Sequence, residues 1–196
     1  TQTAAEFTLG LMLSASHHIA NSHHALRSGK YLGNNAQDFQ GFDPGQDITW
    51  KLDGESPFKD FQGSELYGRT LGIIGLGKIG SRVAQLAQAF GMQVIAYSPY
   101  SLAKEAASNG VELVSLVDLM RRADFITIHA RVTPETLGLI GKSQFNLMKP
   151  SAYLISTSRA AIIDQAALIQ ALEQGRIAGA ALDVYWYEPL PRNHPL

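Results

Sequence analysis

Three glycines stand in the run Gly75-Leu76-Gly77-Lys78-Ile79-Gly80, directly after the apolar stretch Thr70–Ile74 and directly before a helical pattern. Placed strand–turn–helix in this way, the spacing suits the binding of a diphosphate. Gly75 permits the tight turn, Gly77 lets a ligand approach the backbone where a Cβ would intrude, and Gly80 lets the helix pack on the strand. The main-chain N–H groups of Lys78 and Ile79 then face an anion at the positive end of the helix dipole. Roughly twenty residues further on, a site for NAD ordinarily carries a carboxylate that accepts from the adenosine ribose. Here the sequence reads Tyr97-Ser98-Pro99-Tyr100. Ser98 can still bond a ribose hydroxyl, but it does not repel a 2′-phosphate. NAD is therefore the expected cofactor, with NADP admitted as well. Arg131 and Lys104 could reach the same pocket, or serve only as solvated surface charges.

Other charged groups lie where a sheet of this kind binds ligands. Arg159 follows an apolar run ending at Ser156, while Asp183 lies at the end of the run Ala178–Val184 and Glu188 just after it. A guanidinium offers a permanent, bidentate grip on a carboxylate.

Short apolar runs and helical segments alternate strictly after Gly68. Strands are expected at Thr70–Ile74, Gln93–Tyr97, Val111–Val114, Asp124–His129, Ala152–Ser156 and Ala178–Val184. Helices are expected at Lys78–Phe90, Ser101–Ser108, Leu116–Arg122 with a Ser115 cap, Ser143–Met148, and Gln165–Gln174 between an Asp164 cap and Gly175. Continuous apolar strands imply a sheet covered on both faces. The fold class is thus α/β, a doubly wound parallel (Rossmann) sheet of six or more strands with helices on both faces. Ahead of it, Gln2 to about Ser28 reads as one long helix whose stripe is Phe7, Leu11, Ser14 and Ala15, widened by Leu9, Met12 and Leu13. Tyr31–Gly63 lacks a period yet carries Phe39, Phe42, Trp50, Phe58 and Phe61, the anchors of an ordered wrapping segment. Residues 1–62 are read as a linking helix and wrapping loop, and 63–196 as the dinucleotide-binding domain.

The chain has 196 residues, 45% of them hydrophobic and 17% charged, which suits one globular unit with a sizeable core. A formal net charge of −1 provides no general field to attract nucleic acid or an anionic membrane. With no cysteine, a disulfide scaffold, a thiol nucleophile and thiolate metal sites are excluded. No apolar run is long enough to span a bilayer, and Thr1–Glu6 carries no basic cluster of a secretory signal. A cytoplasmic location is the expectation.

Several of these motifs, in this order, resemble the D-isomer-specific 2-hydroxyacid dehydrogenases. Thr3–Leu13 is similar to the helix leading into their cofactor domain, and Gly63–Phe90 to their first strand–helix unit. His129-Ala130-Arg131-Val132-Thr133-Pro134-Glu135-Thr136 resembles their loop after the fourth strand. Ser156-Thr157-Ser158-Arg159 and Ala181–Pro189 resemble their two active-site signatures. The resemblance implies hydride transfer between a nicotinamide and a small 2-hydroxy or 2-oxo acid. In that reading Arg159 holds the substrate carboxylate and polarises the C2 oxygen, while Glu188 pairs with a histidine acid–base. Asp183 bonds the carboxamide, and His129, Ala130, Arg131, Thr136, Thr157 and Ser158 complete the cofactor site. Ala160, Ser156 and Arg131 stand where the family usually has glycine, asparagine and proline. The resemblance places the acid–base histidine beyond Leu196, with His194 not expected to replace it. The substrate domain also lies outside this sequence, so the expectation is cofactor binding without appreciable turnover by this polypeptide.

A homodimer is implied as well, with the stripe of the first helix buried by a second subunit. His17 and His24, seven apart on one expected helix, could share a metal, though no dedicated metal site is assigned. A reading of another class stays open: a dinucleotide-sensing or scaffolding module that keeps the fold without the chemistry.

Overall fold

A computed structural model describes residues 1–31 and 56–196. Most of the expected wrapping segment, with Phe39, Phe42 and Trp50, lies outside the described residues. At its far end a short helix spans Pro57–Asp60 (α3). Lys30 and Tyr31 both donate to Asp60 Oδ2, at 2.7 Å each, tying α3 to the residues just after the N-terminal helices.

Six strands form one parallel sheet: β1 (Thr70–Ile74), β2 (Gln93–Tyr97), β3 (Val111–Leu113), β4 (Phe125–Ile128), β5 (Tyr153–Ser156) and β6 (Gly179–Leu182). Their spatial order is β3-β2-β1-β4-β5-β6, so the winding reverses between β1 and β4. The connecting helices are α4 (Lys78–Ala89), α5 (Ala103–Ser108), α6 (Leu116–Arg122), α7 (Lys142–Phe145) and α8 (Gln165–Glu173). Ser115 and Asp164 cap α6 and α8, accepting from Asp118 N and Ala167 N as their sequence positions require. A 3-10 turn at Ala160–Ile162 has no counterpart in the sequence reading.

Alternate side chains of each strand enter different cores, because successive Cβ atoms point to opposite faces. Leu71, Ile73, Phe125, Tyr153 and Ile155 pack with Val83, Ala84 and Ala87 of α4. Ile74, Ile126, Ile128 and Leu154 pack with Leu119, Met120, Phe145 and Leu168 on the other face. Phe125 and Tyr153 stack across β4 and β5 at 5.5 Å between ring centroids. Burial of this apolar surface on both faces is the main stabilising term, at about 25 cal/mol per Å².

The expected single N-terminal helix is two helices, α1 (Gln2–Ser16) and α2 (Ile19–Arg27). Between them His18 takes a left-handed conformation with φ 54°, which costs a non-glycine residue about 1 kcal/mol. A distant segment ends α1: Ser64 N donates to Ser16 O at 2.8 Å, and Gly63 lies against His17 so closely that a Cβ there would meet it at 2.7 Å. The break also removes the common helical face expected for His17 and His24, and no cluster of three or more potential metal ligands occurs among the described residues. The stripe needs correcting too. Ala5, Thr8, Leu9, Met12 and Ser16 are the buried face of α1, and they pack within the chain against α4, β5 and β6 rather than awaiting a second subunit. Phe7, placed on the stripe by periodicity, stays 47% exposed.

Candidate functional site

A cleft of about 930 Å³ opens where the winding reverses, at the C-terminal ends of β1, β4 and β5. Open α/β sheets bind ligands at such points, because the loops from neighbouring strands diverge to opposite faces there. Gly77, Lys78 and Ile79 line it from the start of α4, His129 to Val132 from the loop after β4, and Thr157 to Arg159 from the loop after β5. Thr1, just ahead of α1, also lines it, a residue that sequence reasoning did not assign.

The floor of the cleft is built by the glycine turn. Gly75 sits at φ 96°, a left-handed conformation that favours glycine. A Cβ on Gly80 would lie 2.2 Å from the carbonyl oxygen of Gly75, so no side chain fits between α4 and the end of β1. A Cβ on Gly77 would meet nothing within 4 Å and would project into open space at the helix N-terminus. The first N–H groups of α4 have no intrahelical acceptor, and Gly77 has no side chain to cap them. Open space above free donors at the positive end of a twelve-residue helix fits a diphosphate.

Ser98 is drawn into the turn itself. Its Oγ accepts from Leu76 N at 3.2 Å and from Ser101 Oγ at 2.8 Å. One O–H remains to donate, whereas a carboxylate would accept from both ribose hydroxyls. Lys104 stays on the exposed surface of α5, and Arg131 lines the main cleft.

At the other end of the cleft, Arg159 is exposed, and the one protein hydrogen bond of its guanidinium among the described residues goes to the carbonyl of Ser158, at 2.8 Å. The remaining guanidinium donors are free to take an anion. Ser156 Oγ and Ser158 Oγ are buried without any partner. His129 is held by Thr127 Oγ1, 3.0 Å from its Nε2, and burial lowers its pKa to about 4. The imidazole is therefore neutral at ordinary pH and adds no charge near the cofactor site.

Not every expected site residue faces the cleft. Thr136 braces its own loop, donating to Arg131 O at 2.6 Å and accepting from Thr133 N at 2.8 Å. Asp183 is exposed and joined to Ser156 O through its main-chain N–H. Glu188 Oε1 accepts from Tyr185 N at 3.0 Å, closing the turn after β6. His194 lies against Gln165 of α8 and does not line the cleft.

Residues 9–196 match the family described as D-isomer specific 2-hydroxyacid dehydrogenase, NAD binding domain. The chain belongs to that family. It is 42% identical over 195 residues to a D-3-phosphoglycerate dehydrogenase of Methanocaldococcus jannaschii, covering 99% of this chain and 32% of the relative. A glyoxylate reductase of Aeropyrum pernix is 42% identical over 197 residues, covering 100% of this chain and 53% of that protein. Among solved structures, a D-lactate dehydrogenase from Aquifex aeolicus complexed with NAD and lactic acid is 28% identical, with a TM-score of 0.75 over 93% of this chain and 47% of that one. The chain thus spans between about a third and about half the length of these dehydrogenases. As a member of the family it is an NAD-binding domain, and the glycine turn and the free amides at the start of α4 fit that cofactor.

Gly80→Ala forces the helix off the strand and lowers stability by about 2 kcal/mol, a fall of roughly 5 °C in Tm. Gly77→Ala leaves Tm within about 2 °C yet weakens NADH binding at least tenfold by calorimetry; equal effects of the two on Tm contradict this division. For His129, the folded pKa lies below the unfolded value, so the unfolded chain binds more protons between about pH 6.5 and 4. Its contribution is intact above pH 6.5 and declines by on the order of 2–3 kcal/mol as pH falls toward 4. Urea unfolding followed against pH shows that slope in the wild type and its loss in His129→Gln.

Proposed function

We propose that the chain is the cofactor half of an oxidoreductase that moves a hydride between a nicotinamide cofactor and the C2 carbon of a small 2-hydroxy or 2-oxo acid. The observation that supports this most directly is the guanidinium of Arg159, with free donors, in the same cleft as the diphosphate-binding turn. Bound NAD supplies the hydride acceptor and, when reduced, the donor. The protein's part is orientation and charge. Arg159 takes the substrate carboxylate in a bidentate grip and polarises the C2 oxygen. Asp183 and the loop Thr157–Ser158 hold the nicotinamide amide, while Ala130 and Arg131 flank the cofactor on the β4 side. Glu188 orients a histidine acid–base. His194 is not offered for that role, since it is turned toward Gln165. Because Ser98 is not a carboxylate, NADP is accepted alongside NAD.

The proposal extends to a cytoplasmic homodimer. No described helix is long and apolar enough to cross a membrane. Ile19 and Leu26 of α2 and Phe7 of α1 are about half exposed, apolar surface suited to a two-fold contact.

In the dehydrogenase that carries this chain, Arg159→Gln lowers kcat/KM for reduction of a 2-oxo acid by about 100-fold or more, with the Kd for NADH held within about twofold. Unchanged turnover, or an equal loss of NADH binding, contradicts the assignment. Sedimentation of the chain across a wide concentration range gives a dimer, and a monomer throughout removes the α1–α2 contact.

A further inference from the structure

Thr8 has no exposed surface, yet it carries a hydroxyl on the otherwise apolar inner face of α1. Its Oγ1 donates to Ala4 O at 2.8 Å, the backbone bond a helical threonine commonly makes. Thr157 Oγ1, from the loop after β5, lies 3.1 Å from the same oxygen. A hydroxyl has one proton to give. With the Thr8 proton committed to Ala4, the proton between the two threonines belongs to Thr157. Thr157 therefore has no proton left for the cleft it lines, and can meet a ligand there only as an acceptor. Its neighbours Ser156, at the end of β5, and Ser158 carry buried hydroxyls without a protein partner, so neither competes with Thr8 for the Thr157 proton.

We propose that Thr8 is a positioning residue for the nicotinamide end of the cofactor: by receiving the Thr157 proton, it presents Thr157 Oγ1 as an obligate acceptor for the carboxamide NH₂. The inference rests on the cofactor reading above and adds a contact that begins on α1, outside the glycine turn. An acceptor-only group at this point favours an amide over a ring substituent that has no N–H to give. It also fixes the loop that ends in Arg159, because Thr157 is two residues from the guanidinium.

The experiment measures binding of three ligands to the 196-residue chain: NADH, ADP-ribose, which lacks the nicotinamide, and the reduced 3-acetylpyridine analogue, which lacks the amide N–H. Thr8→Val keeps the shape of the side chain and removes the hydroxyl. It should weaken NADH about fivefold, the size of one hydrogen bond, and leave ADP-ribose within twofold. The preference for NADH over the acetylpyridine analogue should shrink by a similar factor, and Thr8→Ser should restore it. Thr157→Val removes the same bond from the loop side and gives the same pattern should Thr8→Val fail to fold. Equal weakening of NADH and ADP-ribose, or an unchanged preference over the analogue, overturns the proposal and leaves cofactor binding standing. Failure of the wild-type chain to bind either NADH or ADP-ribose overturns the cofactor reading, and this inference with it.

Discussion

The site depends on one close approach. The start of α4 comes so near the end of β1 that the Gly75 carbonyl occupies the place of any side chain on Gly80. That approach aims the helix N-terminus, with its unpaired N–H groups, at the crevice between β1 and β4. Leu76 N–H, bonded to Ser98, ties the turn to the end of β2. The Gly75 N–H, bonded to Tyr97 O at 3.0 Å, adds a second tie. The diphosphate end of the cleft is thus shaped by backbone geometry and by one serine.

The opposite end is set by side chains. Arg159 supplies permanent charge, and the neutral His129 avoids adding a competing one. The loop that carries Arg159 is held from below by α1 through Thr8. A helix outside the alternating strand–helix repeat therefore touches the Arg159 end of the cleft.

Much of this was legible in the residues. Strands buried on both faces appear as unbroken apolar runs, and each expected strand overlaps an observed one with its ends displaced by two residues at most. The Ser115 and Asp164 caps were readable because a capping side chain acts locally. The break at His17–His18 was not, since it is imposed by Gly63 and Ser64, more than forty residues away, on a pattern that remains helical across it. Choosing Phe7 rather than Ala5 and Thr8 for the buried stripe had a similar cause: periodicity gives the angle between faces, and tertiary contact decides which face is covered. One signal passed over was a hydroxyl at Thr8 between Ala5 and Leu9, where an apolar residue would pack as well. The roles of Glu188 and Thr136 as braces of their own turns could not be read from charge or residue type, because both depend on where nearby N–H groups and carbonyls point.

The most direct test of the account follows main-chain amide resonances of the chain while NADH is added. Free N–H groups gripping a diphosphate should place the largest shifts at Lys78 and Ile79, with a second group at Thr157–Arg159. Saturable binding whose shifts fall elsewhere, for instance on the polar surface at Gly63–Arg69, and leave Lys78 and Ile79 unmoved would contradict it.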